Sequence, residues 1–408
     1  MVKSIAVVGA NLAGGRAAEA LRMEGFEGQV ILIGDEPWRP YERPPLSKEL
    51  LWDDTPVPDQ FFLHEESFYA DNAIDLRLST RVEKLDLAGG CIKIDNGSDI
   101  VADRILLCTG SRVRRLSIEG ADLTGIHYLR TYGDAMALAE DLQSGARAVI
   151  VGLGVIGGEV AASALKRGCK VTAIETEQVP MVRTFGPDFG AWIAQKHQQS
   201  GVDLKLGVSV DRFIGNNGKV TGVITSDGET VEADVVVVGV GVIPATELAE
   251  GANIDVNNGI VVDQYGQTSN PHVYAAGDVA NQPDFFRGRV RLETFQNAQD
   301  QAIAAAANMI GKSVEHLKPS WFWSDQYNLN IQVAGRIDAE AEVVLRGDRE
   351  AEDFSMFFLS NDIIEGVLTV NRAKEMSAGK RMVERRLSVA AAELSDESVN
   401  LRSLLKKR

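Results

Sequence analysis

Cysteine is scarce in this chain. Its 408 residues hold three, Cys91, Cys108 and Cys169, with no CxxC spacing and no histidine cluster beside them. This excludes a thiolate metal centre and a local redox disulfide, and leaves buried structural thiols of the kind that suit a reducing compartment. Long apolar runs are also missing, since no stretch approaches the roughly 18 residues that would suggest a membrane span. Positive charge is in deficit, with 42 Lys and Arg against 58 Asp and Glu and a formal net charge of −16. A polyanion such as DNA normally meets a basic face, so it is not the expected principal partner. Met1 to Val7 run straight into a β-rich segment, which leaves no room for a signal peptide and makes the cytoplasm the expected location.

What is present is glycine in two similar settings. Val7-Val8-Gly9-Ala10-Asn11-Leu12-Ala13-Gly14 and Val151-Gly152-Leu153-Gly154-Val155-Ile156-Gly157-Gly158-Glu159 each follow a β-rich run and precede an Ala-rich helical stretch. A strand that turns tightly into a helix points free N–H groups and the positive helix end at a pyrophosphate, and a side chain there would hold the phosphates away. About twenty residues beyond each turn a second strand-like run ends in acid, at Asp35-Glu36 and at Glu175, where a carboxylate can bind a ribose 2′-hydroxyl. Two nucleotides are therefore implied, with Gly9, Asn11, Gly14 and Asp35 serving one and Gly152, Gly154, Gly157 and Glu175 the other. Asn11 takes the place of the middle glycine, which predicts a less open phosphate seat in the first turn.

The length fits three domains. Alternating β-rich and helical stretches reach a strand end at Leu106-Leu107-Cys108-Thr109-Gly110, and the second nucleotide unit closes near the apolar run Val235 to Pro244. Residues 294–310 read as a helix stopping at Gly311, Lys318-Pro319 as a hinge, and 331–335, 341–347, 354–359 and 363–370 as successive strands. The segment Val273-Tyr274-Ala275-Ala276-Gly277-Asp278-Val279-Ala280 delivers an aspartate after glycine at the head of a helix. It resembles the segment with which two-dinucleotide flavoproteins hold the ribitol of FAD, although an aspartate there also serves as a helix cap. The resemblance assigns FAD to the first turn, with Thr109, Gly110, Gly277 and Asp278, and NADH to the second. Because Asp278 lies beyond the second unit, the first domain must be discontinuous.

Relatives with disulfide or single-cysteine chemistry carry a cysteine near Pro40 to Glu49, but this chain has none before Cys91. Together with Arg43-Pro44-Pro45-Leu46-Ser47-Lys48, Glu159 in the second turn, the segment ending at Asp278, and Trp321-Phe322-Trp323-Ser324-Asp325-Gln326, the chain resembles the FAD-dependent NADH–ferredoxin reductases of bacterial oxygenase systems, the putidaredoxin reductase-like family. The resemblance covers essentially the whole chain. It implies an α/β fold with two Rossmann-like dinucleotide-binding domains of the glutathione reductase-like type plus a C-terminal α+β domain. The expected boundaries are 1–109 and 244–317 for the FAD domain, 110–243 for the NAD domain and 318–408 for the C-terminal domain.

It further implies that Arg43 assists FAD, that Lys48 lies near the reactive flavin edge, that Glu159 approaches from the NAD side so that an ion pair between Lys48 and Glu159 would order the place where nicotinamide stacks, and that Trp323 places its indole by the ring. For Glu159 the alternative is a simple preference for a helix N-terminus, and for Trp321 a core position. Helix 294–310 would aim its positive end at the flavin, with Phe295 where the family often has tryptophan. Arg183 is the cation nearest Glu175 in sequence. The implied activity is hydride transfer from NADH to FAD and single-electron delivery to a [2Fe-2S] ferredoxin that feeds a terminal oxygenase. Reduction of rubredoxin, or a mainly binding role like that of apoptosis-inducing factor, is the alternative. Six cations against two acids between Arg372 and Arg386 offer either a docking patch for an acidic ferredoxin or a solvated helix face.

Overall fold

Each glycine turn lies where a buried parallel strand hands over to a helix. The computed structural model describes residues 2–52 and 59–406, so the expected domain limits at Met1 and Arg408 lie outside it. The chain forms two compact units. The first takes the chain up to Glu42, the stretch ending at Arg112 and Ile243–Ser320; the second takes Arg43 to Trp52, Val113–Val242 and the chain from Trp321 onward.

The first unit is built on a five-stranded parallel sheet, ordered Val273–Ala275, Arg104–Leu107, Ser4–Val8, Gln29–Ile33, Ile74–Arg77. Its strands are apolar on both faces because both are covered. Ile5 and Val7 face the helices Leu12–Met23 and Phe295–Met309, while Ala6 and Val8 face Leu85, Ile92 and Ile100 of an antiparallel meander. That meander, Val82–Asp86, Cys91–Ile94 and Asp99–Val101, holds no helix, so the strand and helix alternation expected up to residue 110 is interrupted here. Asn96-Gly97 is the local reason, a hairpin pair in which Gly97 takes a φ of +78°. Strand Val273–Ala275 pairs in parallel with Arg104–Leu107, which returns the chain to the sheet it left 160 or so residues earlier and completes the discontinuous unit.

The second unit contains another parallel sheet, ordered Asp203–Leu206, Lys170–Glu175, Arg147–Val151, Val235–Val238, Ile126–His127. It also contains an antiparallel sheet, ordered Trp321–Gln326, Leu329–Gly335, Ile363–Val370, Asp353–Ser360, Glu342–Asp348. The aromatic run at 321–326 is thus itself an edge strand, with Ser324 and Gln326 buried between more exposed neighbours. Helix Ala373–Glu384 packs on this sheet. No helix among the described residues is long and apolar enough to cross a membrane.

Within the second unit the helix Val182–Gln199 and the antiparallel sheet share a buried polar contact. His197, fully buried, places Nδ1 2.6 Å from the Tyr327 hydroxyl, and burial pulls its pKa down to about 4. A histidine kept neutral in the fold binds a proton more readily when unfolded, so its stabilising effect is complete above about pH 6.5 and is lost as the pH falls towards 4. The midpoint of urea unfolding should fall over that interval, and His197→Gln should flatten the fall, both read by fluorescence.

Candidate active site

At the first turn, packing dictates glycine. A Cβ on Gly9, whose φ is +114°, would lie 2.2 Å from the Cys108 carbonyl oxygen, and one on Gly14 would lie 1.9 Å from that of Gly9. Asn11 turns its side chain into the protein rather than over the seat: Nδ2 donates to the Cys108 carbonyl at 2.6 Å, and Oδ1 accepts from the Gly14 N–H at 3.3 Å. It is the N-cap of helix Leu12–Met23. Asp35 is exposed beyond the end of its strand, and its neighbour Glu36 accepts from the Tyr41 hydroxyl at 2.6 Å.

The same unit brings Asp278 to this turn. Gly277, at φ +81°, is buried so close to helix Leu12–Met23 that a Cβ would stand 3.1 Å from Ala13 Cβ, and its N–H donates to Gln301 Oε1 at 2.9 Å. Asp278 is half-buried and accepts from Ser111 Oγ at 3.3 Å. Thr109 Oγ1 donates to the Ala245 carbonyl at 2.7 Å, next to Gly110 at φ +66°. Phe295, one residue after the Thr294 cap, packs on the core.

The second turn, in the other unit, repeats the glycine packing but differs in its middle. Cβ atoms on Gly152 and Gly157 would fall 2.5 Å from the Gly239 carbonyl oxygen and 2.0 Å from that of Gly152. Gly154, the N-cap of helix Val155–Lys166, faces open space instead. Glu175 leans over this turn, accepting from the Leu153 N–H at 2.8 Å and from the Glu177 N–H at 3.0 Å. Arg183 is exposed and pairs with Glu177 at 2.8 Å.

Glu159 lies in the first turns of the same helix, with only 2% exposure. Its Oε2 accepts from Lys48 Nζ at 2.8 Å and from the Ser47 hydroxyl, and its Oε1 accepts from Ser324 Oγ at 2.7 Å. Lys48 also donates to the Pro44 carbonyl at 3.1 Å. Burial pushes the Glu159 carboxyl above the usual range, and Lys48 followed by the two serines pulls it back. Arg43 donates to the Arg130 carbonyl. On the edge strand Trp323 stacks on Trp321 with ring centroids 5.4 Å apart, and Lys380 Nζ lies 4.1 Å from the centroid of Trp321. Ser47, Ser324 and Gln326 were not singled out by sequence reasoning; the signal for the last two is their two-residue spacing in a strand whose alternate positions are tryptophan.

The basic run is largely engaged within the chain. Arg372 binds Asp353, Glu375 and Glu397, Arg386 reaches Glu365 and Arg385 donates to the Leu405 carbonyl. Lys374 and Arg381 are exposed, and among the described residues no ion pair or ring contact holds them.

Residues 3–302 match the family described as pyridine nucleotide-disulphide oxidoreductase, and residues 321–405 match the reductase C-terminal family. The chain belongs to the pyridine nucleotide-disulphide oxidoreductases. In this member of the family all three cysteines are free and buried. The ferredoxin–NAD(+) reductase component of the biphenyl dioxygenase system of Paraburkholderia xenovorans (strain LB400) is 40% identical over 409 residues, covering 100% of both chains. Rhodocoxin reductase of Rhodococcus erythropolis is 36% identical over 98% of this chain and 93% of its own. Among solved structures, the reductase in the covalent putidaredoxin reductase–putidaredoxin complex superposes with a TM-score of 0.95 at 35% identity, covering 98% of this chain and 97% of that one.

The open space at Gly154 and the closed space at Gly157 make opposite predictions. If this turn holds the NADH pyrophosphate, Gly154→Ala should leave the thermal midpoint unchanged and raise the KM for NADH about tenfold or more, since the added methyl would fill the open space a phosphate needs. Gly157→Ala should lower the thermal midpoint itself, because its methyl meets backbone. Differential scanning fluorimetry beside steady-state kinetics separates the two.

Proposed function

We propose that this protein takes a hydride from NADH onto FAD and passes electrons singly to a [2Fe-2S] ferredoxin, which in turn serves a terminal oxygenase. The observation that carries the reading is two complete dinucleotide turns in a chain whose cysteines are all buried, so that no thiol relay stands between nicotinamide and acceptor. Bound FAD would supply the switch from two-electron to one-electron chemistry. The residues present fit it: at Gly9 and Gly14 nothing larger than hydrogen projects from the backbone, and the Asn11 side chain is folded inward.

The roles of individual residues follow from their chemistry. Gly9 and Gly14, whose own N–H groups are bound to the Ile33 carbonyl and to Asn11 Oδ1, keep the turn free of side chains so that the FAD pyrophosphate can approach the backbone around Asn11. Thr109 and Gly110 shape the adjacent strand end, Asp278 accepts from ribitol, and Asp35 from ribose. Gly152, Gly154 and Gly157 do the same for NADH, with Glu175 accepting from its ribose 2′-hydroxyl. Lys48 and Glu159 hold a fixed pair of charges where nicotinamide meets flavin, so that no solvent must reorganise as charge moves. Trp323 covers the ring, and Arg43 assists FAD binding. Three free, buried cysteines support a cytoplasmic location, where thiols stay reduced.

Stopped-flow reduction by NADH followed by transfer to a [2Fe-2S] ferredoxin tests the whole sequence; slow flavin reduction, or transfer to rubredoxin alone, would overturn it. Glu175 gives a sharper check. Its carboxylate repels a 2′-phosphate, and Arg183, already paired with Glu177, does little to offset this. NADH should therefore be preferred over NADPH in kcat/KM, and Glu175→Gln should narrow that preference by about tenfold. For the partner, Lys374 and Arg381 are the cations of the basic run left to steer an acidic protein. Reversing both to glutamate should raise the KM for ferredoxin, and added salt should do likewise as the screening length drops from about 10 Å at 0.1 M to about 3 Å at 1 M, while ferricyanide reduction stays level.

A further inference from the structure

Glu159 has two carboxylate oxygens, and the protein treats them separately. Oε2 is held by Ser47 and Lys48, both from the Arg43 to Trp52 stretch, whereas among the described residues Oε1 is held by Ser324 alone, from the edge strand of the antiparallel sheet. Ser324 is fully buried and Gln326, two residues on and therefore on the same strand face, has 1% exposure. Gln326 Nε2 donates to Ser324 Oγ at 3.0 Å. A serine hydroxyl that accepts from one side must send its hydrogen elsewhere, and here the remaining acceptor is Glu159 Oε1.

The amide in turn has a place prepared for it. Gly158 directly precedes Glu159 in the helix, and a Cβ there would stand 2.8 Å from Gln326 Oε1 and 3.0 Å from Nε2. Gln326 Oε1 meets no donor among the described residues. Buried amides are ordinarily satisfied at both ends, so a glutamine that orients a serine while leaving its own oxygen unpaired is poorly explained as packing.

We propose that Ser324, oriented by Gln326, is a positioning residue for Glu159: it holds the oxygen that Lys48 does not, and so keeps the carboxylate ionised and aimed when NADH binds. This rests on the reading of Glu159 as part of the hydride-transfer site. Lys48 is the charged group that faces the carboxylate. Asp325, from the same strand as Ser324, is turned to the other face and bonds Asn330 at 2.7 Å; Glu49 is exposed; and Lys166, on the helix of Glu159, lies over the Trp52 ring at 3.8 Å. Removing a donor that favours the ionised form raises the pH at which the carboxyl takes up a proton. The limb along which activity falls towards acid must then move to higher pH.

The experiment uses the FAD-loaded protein and four variants. It follows the pH dependence of kcat and KM for NADH with ferricyanide as acceptor, and the protons exchanged on NAD⁺ binding, from calorimetry in buffers of different ionisation heat. Ser324→Ala should move the acid limb up by about one pH unit and change the number of protons exchanged on NAD⁺ binding at neutral pH. Ser324→Thr, which keeps the hydroxyl, should restore both, and Gln326→Met should move them the same way by less. Glu159→Gln should remove the limb. An unmoved limb and unchanged proton exchange in Ser324→Ala, with the limb abolished in Glu159→Gln, would overturn the positioning role and leave the reading of Glu159 standing. A limb that survives Glu159→Gln would overturn that reading and this proposal with it. Should Ser324→Ala fail to take up FAD, Gln326→Met carries the test: a shift supports the proposal and an unmoved limb refutes it.

Discussion

A carboxylate with 2% exposure is costly unless donors replace the water it has lost, and Glu159 draws those donors from two distant stretches of chain. Lys48 and Ser47 arrive from a stretch that belongs in sequence to the first nucleotide unit, and Ser324 from the C-terminal sheet. Each of these stretches therefore has a fixed position relative to the helix that begins at Gly154. The clustering of Arg43 to Trp52 with residues from 113 onward, against its place in sequence, follows from this contact as much as from apolar packing by Leu51. Losing one partner would leave a buried charge uncompensated, which is far more destructive than never having built the pair.

The two glycine turns solve one steric problem in two ways. In both, the flanking glycines lie against backbone carbonyls and admit no Cβ. The middle position is freer. Gly154 leaves it open, while Asn11 fills it with a side chain that is consumed internally, one end on Cys108 and the other on the Gly14 N–H. The expected narrowing of the first seat by Asn11 therefore does not follow from its size, because the amide does not project over the turn. It does take one N–H that a phosphate would otherwise find, and supplies a cap in exchange.

Strong local patterns made much of the architecture legible. The strand before each turn is apolar without interruption, helix Phe295–Met309 is bounded by Thr294 and ends close to Gly311, and strand Ile363–Val370 coincides with its expected span. The meander at 82–101 was not, because its strands are short and half polar, and the Asn96-Gly97 hairpin signal is a single pair. Strand Trp321–Gln326 was hidden by its aromatics, which read equally as core or as a cofactor cover. The resemblance already implied that Lys48 pairs with Glu159, and the structure joins them. Ser47 and Ser324 lay beyond sequence reasoning for a different reason, since they stand 112 and 165 residues from Glu159 in the hydrogen bonds that join them to it. Only the sheet's edge position brings Ser324 back to the helix.

Charge read from sequence overstated what the surface offers. Of the cations between Arg372 and Arg386, Arg372 alone takes three carboxylates, and Lys380 is laid over Trp321. These contacts hold helix Ala373–Glu384 against its sheet, and the same sheet carries Trp323. A basic run that is used to fix a helix has little left for long-range attraction, while a protein of net charge −16 repels an acidic partner at distance. Were an acidic partner to dock at this run, encounter would depend on a few unengaged cations acting within a screening length, together with the fit of the surfaces, so that the on-rate would be sensitive to single charges that composition alone treats as interchangeable.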